Sequence, residues 1–158
     1  MHLRFQVQPF NKKGGIAMTL EKAIAIASKA HEMQLDKGGE PYILHPLRVM
    51  MTMTSYEGKI VAMLHDVLED TELTLDVLRA KGFSEKILDC LDLLTHRESD
   101  SYEAYIGKIL ENPLATQVKI ADLKDNMDWT RLKKLTDTDF QRLEKYFRAY
   151  QMLTHSKK

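Results

Sequence analysis

The sequence predicts a single all-α domain, and three observations predict it. From Thr19 onward, apolar residues recur three and four positions apart, the spacing that lines one face of a helix. No segment in that span keeps the every-second-residue alternation or the β-branched enrichment of a strand. Capping residues and glycines break the pattern where helices should start and stop.

Each element follows in order. Thr19 can cap a first helix that carries Leu20, Ala23, Ile24, Ala27, Ala30 and His31 on one face, and Gly38-Gly39 ends that region in a loop. Pro41 suits the first turn of a second helix, which runs through Leu44, Leu47, Val49, Met50 and Met53. After Gly58, Ile60, Val61, Met63, Leu64, Val67 and Leu68 form a third, strongly apolar helix. Thr71 or Thr74 caps a short fourth with Leu75, Val77 and Leu78, closed by Gly82. Ser84 opens a fifth through Ile87, Leu88, Leu91 and Leu94, and Ser101 a sixth through Tyr105, Ile106 and Ile109. Asn112-Pro113 opens a long seventh through Val118, Ile120, Leu123 and Met127. Asp137 or Asp139 starts the last, through Phe140, Leu143, Tyr146, Phe147, Tyr150 and Leu153. The methionines are expected mostly as gap-filling core or pocket wall.

Residues 1–17 stand apart. Leu3, Phe5 and Val7 alternate briefly before Pro9 and Gly14-Gly15 break the pattern. The stretch reads either as an N-terminal extension or as sequence upstream of a true start at Met18. Lys12-Lys13-Gly14-Gly15 is what a purine-rich ribosome-binding stretch would encode. Residues 18–158 then form the domain.

Composition narrows the function classes. With 158 residues, 44% of them hydrophobic and 29% charged, the chain can bury a sizeable core. Lys and Arg (23) balance Asp and Glu (23), so no bulk charge draws it to nucleic acid or an anionic membrane. No apolar run approaches the roughly 20 residues that span a bilayer, and no start resembles a signal peptide. Cys90 is the only cysteine, which excludes an internal disulfide and any multi-cysteine zinc site. A cytoplasmic protein is expected; oligomeric state is not legible.

The strongest chemical feature is His65-Asp66-Val67-Leu68-Glu69-Asp70-Thr71. A helix end explains Glu69, Asp70 and Thr71 well. It explains His65-Asp66 poorly, because these follow directly on Val61-Ala62-Met63-Leu64, and buried charge is costly without a partner or cation. On a continuous helix, Glu69 would lie one turn after His65 and Asp70 one turn after Asp66. The stretch would then offer two inner ligands and, one turn on, two carboxylates for a water or substrate proton. Three carboxylates so close repel one another, which raises their pKa values unless a divalent cation neutralises them. His45 sits in an apolar run, Pro41 to Leu47, as a satisfied core histidine or a ligand. Asp122 follows Val118 to Ala121 as a buried cap, an ion-pair partner or a ligand, with Asn126 one turn further on. Together His45, His65, Asp66 and Asp122 make a nitrogen and oxygen set without thiolates, suited to Mn²⁺, Fe²⁺ or Mg²⁺.

These four positions resemble the H…HD…D signature of HD-domain metal-dependent phosphohydrolases. The likeness is closest to the (p)ppGpp hydrolase domain of RelA/SpoT enzymes and to single-domain small alarmone hydrolases of the MESH type. Gly39 to Leu47 resembles the family's G-E-P-Y-I-x-H-P-L, and Leu64 to Thr71 its L-H-D-V-x-E-D-T. Lys119 to Asp122 with Asn126-Met127 resembles K-x-A-D-x-x-x-N-M, and Ala30-His31 with Gln34 its A-H-x-x-Q. The resemblance covers about Thr19 to Leu153.

The resemblance implies an HD-domain helical bundle in which His45, His65, Asp66 and Asp122 bind one Mn²⁺. It implies that Glu69 and Asp70 activate or orient the attacking water and handle protons. Lys37 and Asn126 would contact the nucleotide, and Tyr42 would shape its pocket; His31 is expected to be structural or supporting. The implied reaction is hydrolysis of the 3′-pyrophosphate of (p)ppGpp to GDP or GTP plus pyrophosphate. A phosphohydrolase acting on another nucleotide, such as the 2′-phosphate of NADPH or an adenine alarmone, is the alternative. The chain leaves no room for a synthetase domain, so hydrolysis alone is expected. A non-catalytic binding domain and a plain helical scaffold fit less well, because every metal position and both acidic helpers are present.

Three departures bear on substrate. The family's Arg before Lys37, whose guanidinium stacks on guanine, is here Asp36, and a carboxylate cannot supply that contact. The basic residue after the last metal Asp is Leu123, and the His before Asn126 is Asp125. A less basic pocket is expected, with Trp129, Arg131, Lys133 and Lys134 near enough to compensate. Trp129 would either stack on a base or pack between helices.

Overall fold

The computed structural model describes residues 18–155. The expectations about residues 1–17 and a start at Met18 lie outside the described residues. Among these, all regular structure is helical apart from one isolated bridge, between Leu35 and Pro41. The chain runs through α1 (Leu20–Ala30), α2 (Leu44–Met51), α3 (Tyr56–Leu64), α4 (Val67–Asp70), α5 (Leu75–Ala80) and α6 (Glu85–Leu94). It continues through α7 (Tyr102–Ile109), α8 (Pro113–Asn126), a 3₁₀ turn at Trp129–Arg131 and α9 (Asp137–His155). No helix among the described residues is long and apolar enough to cross a membrane.

Local chemistry sets most boundaries. Thr19, Thr74 and Ser101 each accept a backbone N–H from the first turn of α1, α5 and α7, and Asn112 accepts two, from Leu114 and Ala115. Each such cap is worth about 1 kcal/mol. Ser55, unflagged in the sequence, caps α3 in the same way. The second helix starts at Leu44 rather than Pro41, because Gln34 to Tyr42 folds back on itself. There Asp36 N–H donates to the Glu40 carbonyl at 2.8 Å and Tyr42 N–H to the Gln34 carbonyl at 2.9 Å.

From Ile60 onward helix α3 is apolar all round, as a helical segment enclosed on every side must be. Ile60, Val61, Ala62, Met63 and Leu64 are all buried, each at 1% exposure or less, against α1, α2, α6 and α8. Burial of each larger side chain contributes on the order of 1.5–3 kcal/mol. Met50 and Met63 are in the core, whereas Met33 and Met51 are exposed, so the gap-filling reading does not hold for those two.

The predicted third helix does not run unbroken to Leu68. It ends at Leu64 and resumes as α4 at Val67, with His65 and Asp66 in the gap. Neighbouring residues on a continuous helix point about 100° apart. The break lets two consecutive side chains turn toward one place.

Candidate metal centre and its cavity

His45 enters from α2, His65 and Asp66 from the break between α3 and α4, and Asp122 from α8. The Nε2 atoms of His45 and His65 lie 3.2 Å apart. His45 Nε2 is 3.4 Å from Asp66 Oδ2 and 3.2 Å from Asp122 Oδ1. His65 Nε2 is 3.0 Å from Asp66 Oδ2 and 3.6 Å from Asp122 Oδ1. His45, His65 and Asp122 are buried, and their ligand atoms form a group that could hold a metal ion.

The outward nitrogens decide what those four atoms can be. His65 Nδ1 donates to the Ala62 carbonyl at 2.7 Å, and His45 Nδ1 to Asp125 Oδ2 at 2.7 Å. With each ring proton used outward, both Nε2 lone pairs face two carboxylate oxygens. Four acceptors then converge with no donor among them, and a cation is what such a set lacks. Separations of 3.0 to 3.6 Å would let one small divalent ion sit within reach of these atoms.

Without a cation, protons take that place. Burial alone would keep His45 neutral, but its bonds to Asp122, Asp125 and Asp66 outweigh burial and push it up to about 11. Burial likewise opposes charge on His65, and Asp66 and Asp122 overcome it, pushing it up to about 9. Burial disfavours the Asp66 and Asp122 carboxylates, yet the imidazoles, with Lys119 beside Asp122, hold both well below the usual carboxylate range. The centre attracts protons strongly, in the place where a metal would supply the charge.

Further side chains fix these four. Lys119 Nζ lies 2.8 Å from Asp122 Oδ2, and Asn126 Nδ2 donates to Asp122 Oδ1 at 2.5 Å. The Tyr42 hydroxyl donates to Asp66 Oδ2 at 2.6 Å. Asp125 accepts from Arg48 Nε at 2.7 Å and from Arg131 Nη1 at 3.0 Å. Asp125, expected to make the pocket less basic, lines the cavity and pairs there with Arg48 and Arg131 as well as with His45. Arg48, Lys119 and Arg131 are the residues that sequence reasoning passed over or left unassigned. Lys119 and Asp122 stand one helical turn apart, the only local signal of their pairing.

The two acidic helpers part company. Glu69 Oε2 accepts the His96 backbone N–H at 3.1 Å, turning toward the end of α6. Asp70 Oδ2 lies 3.4 Å from the Tyr42 hydroxyl and so faces the centre's edge. Burial, with Asp66 nearby, raises both carboxyls above their usual range. Asp66 and Asp70 do share a face, both oxygens meeting the Tyr42 hydroxyl, whereas Glu69 turns away toward His96.

A cavity of about 340 Å³ opens beside His45. Lys37, Tyr42, Arg48, Asn126, Arg131 and Arg142 are among the side chains that line it. Lys37 is half-tethered, 3.9 Å from Asp139 on α9. Asp36 belongs to its own loop: its Oδ1 accepts the Gly38 and Glu40 backbone N–H groups at 2.8 and 3.0 Å. Trp129 packs edge-on against Phe140, ring centroids 6.3 Å apart, and is not among the side chains lining this cavity. His31 is buried, with Nδ1 2.8 Å from Gln34 Oε1, in the supporting position expected of it.

No protein-family model matches the chain. Among curated proteins, it is 30% identical over 123 residues to a guanosine-3′,5′-bis(diphosphate) 3′-pyrophosphohydrolase of Aquifex aeolicus, covering 70% of this chain and 18% of that protein. It is 32% identical over 122 residues to the bifunctional (p)ppGpp synthase/hydrolase SpoT of Escherichia coli, covering 68% of this chain and 17% of SpoT. The chain thus spans less than a fifth of the length of these relatives. A solved structure described as a metazoan ortholog of SpoT that hydrolyses ppGpp superposes with a TM-score of 0.68 at 18% identity, over 94% of this chain and 88% of that one. In fold and in aligned sequence, the chain belongs to the HD-type hydrolase domains of the RelA/SpoT kind.

Proposed function

We propose that the chain is a Mn²⁺-dependent hydrolase of the 3′-pyrophosphate of (p)ppGpp, acting in the cytoplasm. The observation that carries this reading is the convergence of four acceptor atoms beside a cavity whose wall carries Lys37, Arg48, Arg131 and Arg142 together with Asp36, Asp125 and Asp128. His45, His65, Asp66 and Asp122 would hold the ion. When bound, it lowers the pKa of water and offsets charge on the phosphoryl oxygens. Asp70, raised above the usual carboxylate range, accepts the proton of the attacking water, and Glu69 orients it. The water oxygen bonds to the phosphorus at the 3′ ester, the bond to the 3′ oxygen breaks, and that oxygen takes a proton. GDP or GTP and pyrophosphate result. Lys37, Arg48 and Arg131 would be the donors to the phosphates, with Asn126 and Tyr42 beside them and Asp125 pairing the two arginines.

The reading has a direct test. Mn²⁺-loaded protein should release pyrophosphate from ppGpp, and Asp66→Ala should abolish release. Silence of both proteins would sink the guanine alarmone. One observation favours the second reading, a phosphohydrolase of NADPH or an adenine alarmone: Asp36 is held by its own loop where a stacking Arg would read guanine. A panel of those nucleotides in the same assay separates the two.

A further inference from the structure

Asp125 carries the densest set of hydrogen bonds around the centre, and neither the motifs nor the relatives assign it a task. It stands three residues after Asp122, one turn along α8. Its Oδ2 receives the Nδ1 proton of His45 at 2.7 Å. Its two oxygens also accept Arg48 Nε at 2.7 Å and Nη2 at 3.0 Å, and Arg131 Nη1 at 3.0 Å and Nη2 at 3.2 Å. Arg131 also donates to the Asp125 backbone carbonyl. A carboxylate gripped from so many directions has one orientation available.

We infer that Asp125 is the positioning residue for His45, and that Arg48 and Arg131 are the clamp that holds Asp125 in place. This rests on the reading of the four-atom centre as a metal site. The contrast with His65 supports it. His65 gives its Nδ1 proton to a carbonyl three residues back on its own helix, so α3 alone sets its ring. His45 has no such partner; its ring is set from another helix. A carboxylate on Nδ1 fixes the proton there, leaves the lone pair on Nε2, and makes that nitrogen a stronger donor to a cation. The same contact explains why an acid is tolerable at this position. Arg48 and Arg131 balance its single negative charge.

Both arginines line the cavity, as do Asp125 and His45 themselves.

The test is Mn²⁺ binding by calorimetry, on the whole chain stripped with chelator and without any substrate. Asp125→Ala is expected to weaken Mn²⁺ binding about 10- to 100-fold, the usual loss when the outer partner of a metal-binding histidine is removed. Asp125→Asn keeps an acceptor for the His45 proton without the charge and should recover part of that loss. Melting of the chelated proteins separates positioning from folding. If Asp125→Ala does not fold, Asp125→Asn alone decides, expected at least several-fold weaker than the parent. Variants that bind Mn²⁺ within twofold of the parent overturn the inference, even if they melt earlier. A parent that takes up no Mn²⁺ overturns the metal-site reading, and the inference with it.

Discussion

The Tyr42 hydroxyl sits 2.6 Å from Asp66 Oδ2 and 3.4 Å from Asp70 Oδ2. It has one proton, and the shorter contact takes it. Tyr42 therefore does more than line a pocket: it ties the carboxylate at the helix break to the carboxylate a turn beyond. A hydrogen bond to a charged group contributes about 1.5–3 kcal/mol. Tyr42→Phe should accordingly lower kcat/KM by about 10- to 100-fold with the fold intact. Steady-state pyrophosphate release and a melting curve check it; unchanged kinetics would reduce Tyr42 to a wall.

Stability of the metal-free protein should depend on pH in a defined direction. His45 and His65 are raised in the folded state, to about 11 and about 9. A raised histidine contributes stability that is complete below its unfolded pKa of about 6.5 and is lost as pH rises through the folded value. Chelated protein should therefore melt progressively earlier from pH 6.5 through pH 9 and above. Mn²⁺ binding should tighten over the same range, because the ion displaces those protons. Calorimetric melts with and without Mn²⁺ measure both; a chelated protein whose Tm stays flat over that range contradicts the arrangement.

Lys119 is mostly enclosed, its side chain 14% exposed, with its ammonium 2.8 Å from the buried Asp122 and over the Tyr105 ring at 5.3 Å. Removing one partner of a buried pair costs about 3–5 kcal/mol. Lys119→Met should lose about that much stability in urea when metal is absent. Adding Mn²⁺ should restore more stability to the variant than to the parent, since a cation again faces Asp122. Equal gains for both would argue that Lys119 compensates no charge of the centre.

The acid limb of the activity profile should lie above the ordinary carboxylate range. Burial, then the charge of Asp66, raises Asp70, and a proton acceptor works only when ionised. Activity should fall as pH drops through that raised value, and Asp70→Asn should remove most of the activity. Glu69→Gln should cost less, because Glu69 already holds the His96 backbone N–H. A profile that follows Glu69 rather than Asp70 would reverse the two roles.

What could be read from the sequence was what neighbouring residues decide. Thr19, Ser101 and Asn112-Pro113 announce their helices because a cap is a contact across three residues. His65-Asp66 stood out because two ionisable side chains followed a run of apolar ones. The break at those residues was not legible, since its partners are His45 and Asp122 on other helices. Asp125 is the sharpest case. Within α8 it looks like one more acid on a polar face; its meaning comes from Arg48, 77 positions earlier, and from His45 beyond it.

The glycine in that loop sets a dimension of the molecule. A Cβ on Gly38 would come within 3.1 Å of the Arg131 carbonyl oxygen and of Asp36 Oδ1. Two backbone segments more than ninety positions apart thus touch with no side chain between them. One carries Lys37 and the other Arg131, so the gap between opposite walls of the cavity is gauged by main chain against main chain. Surface substitutions on either segment leave that gauge alone. A single methyl at Gly38 would press on the Arg131 carbonyl and on Asp36, and would part the two segments together with the charges they carry.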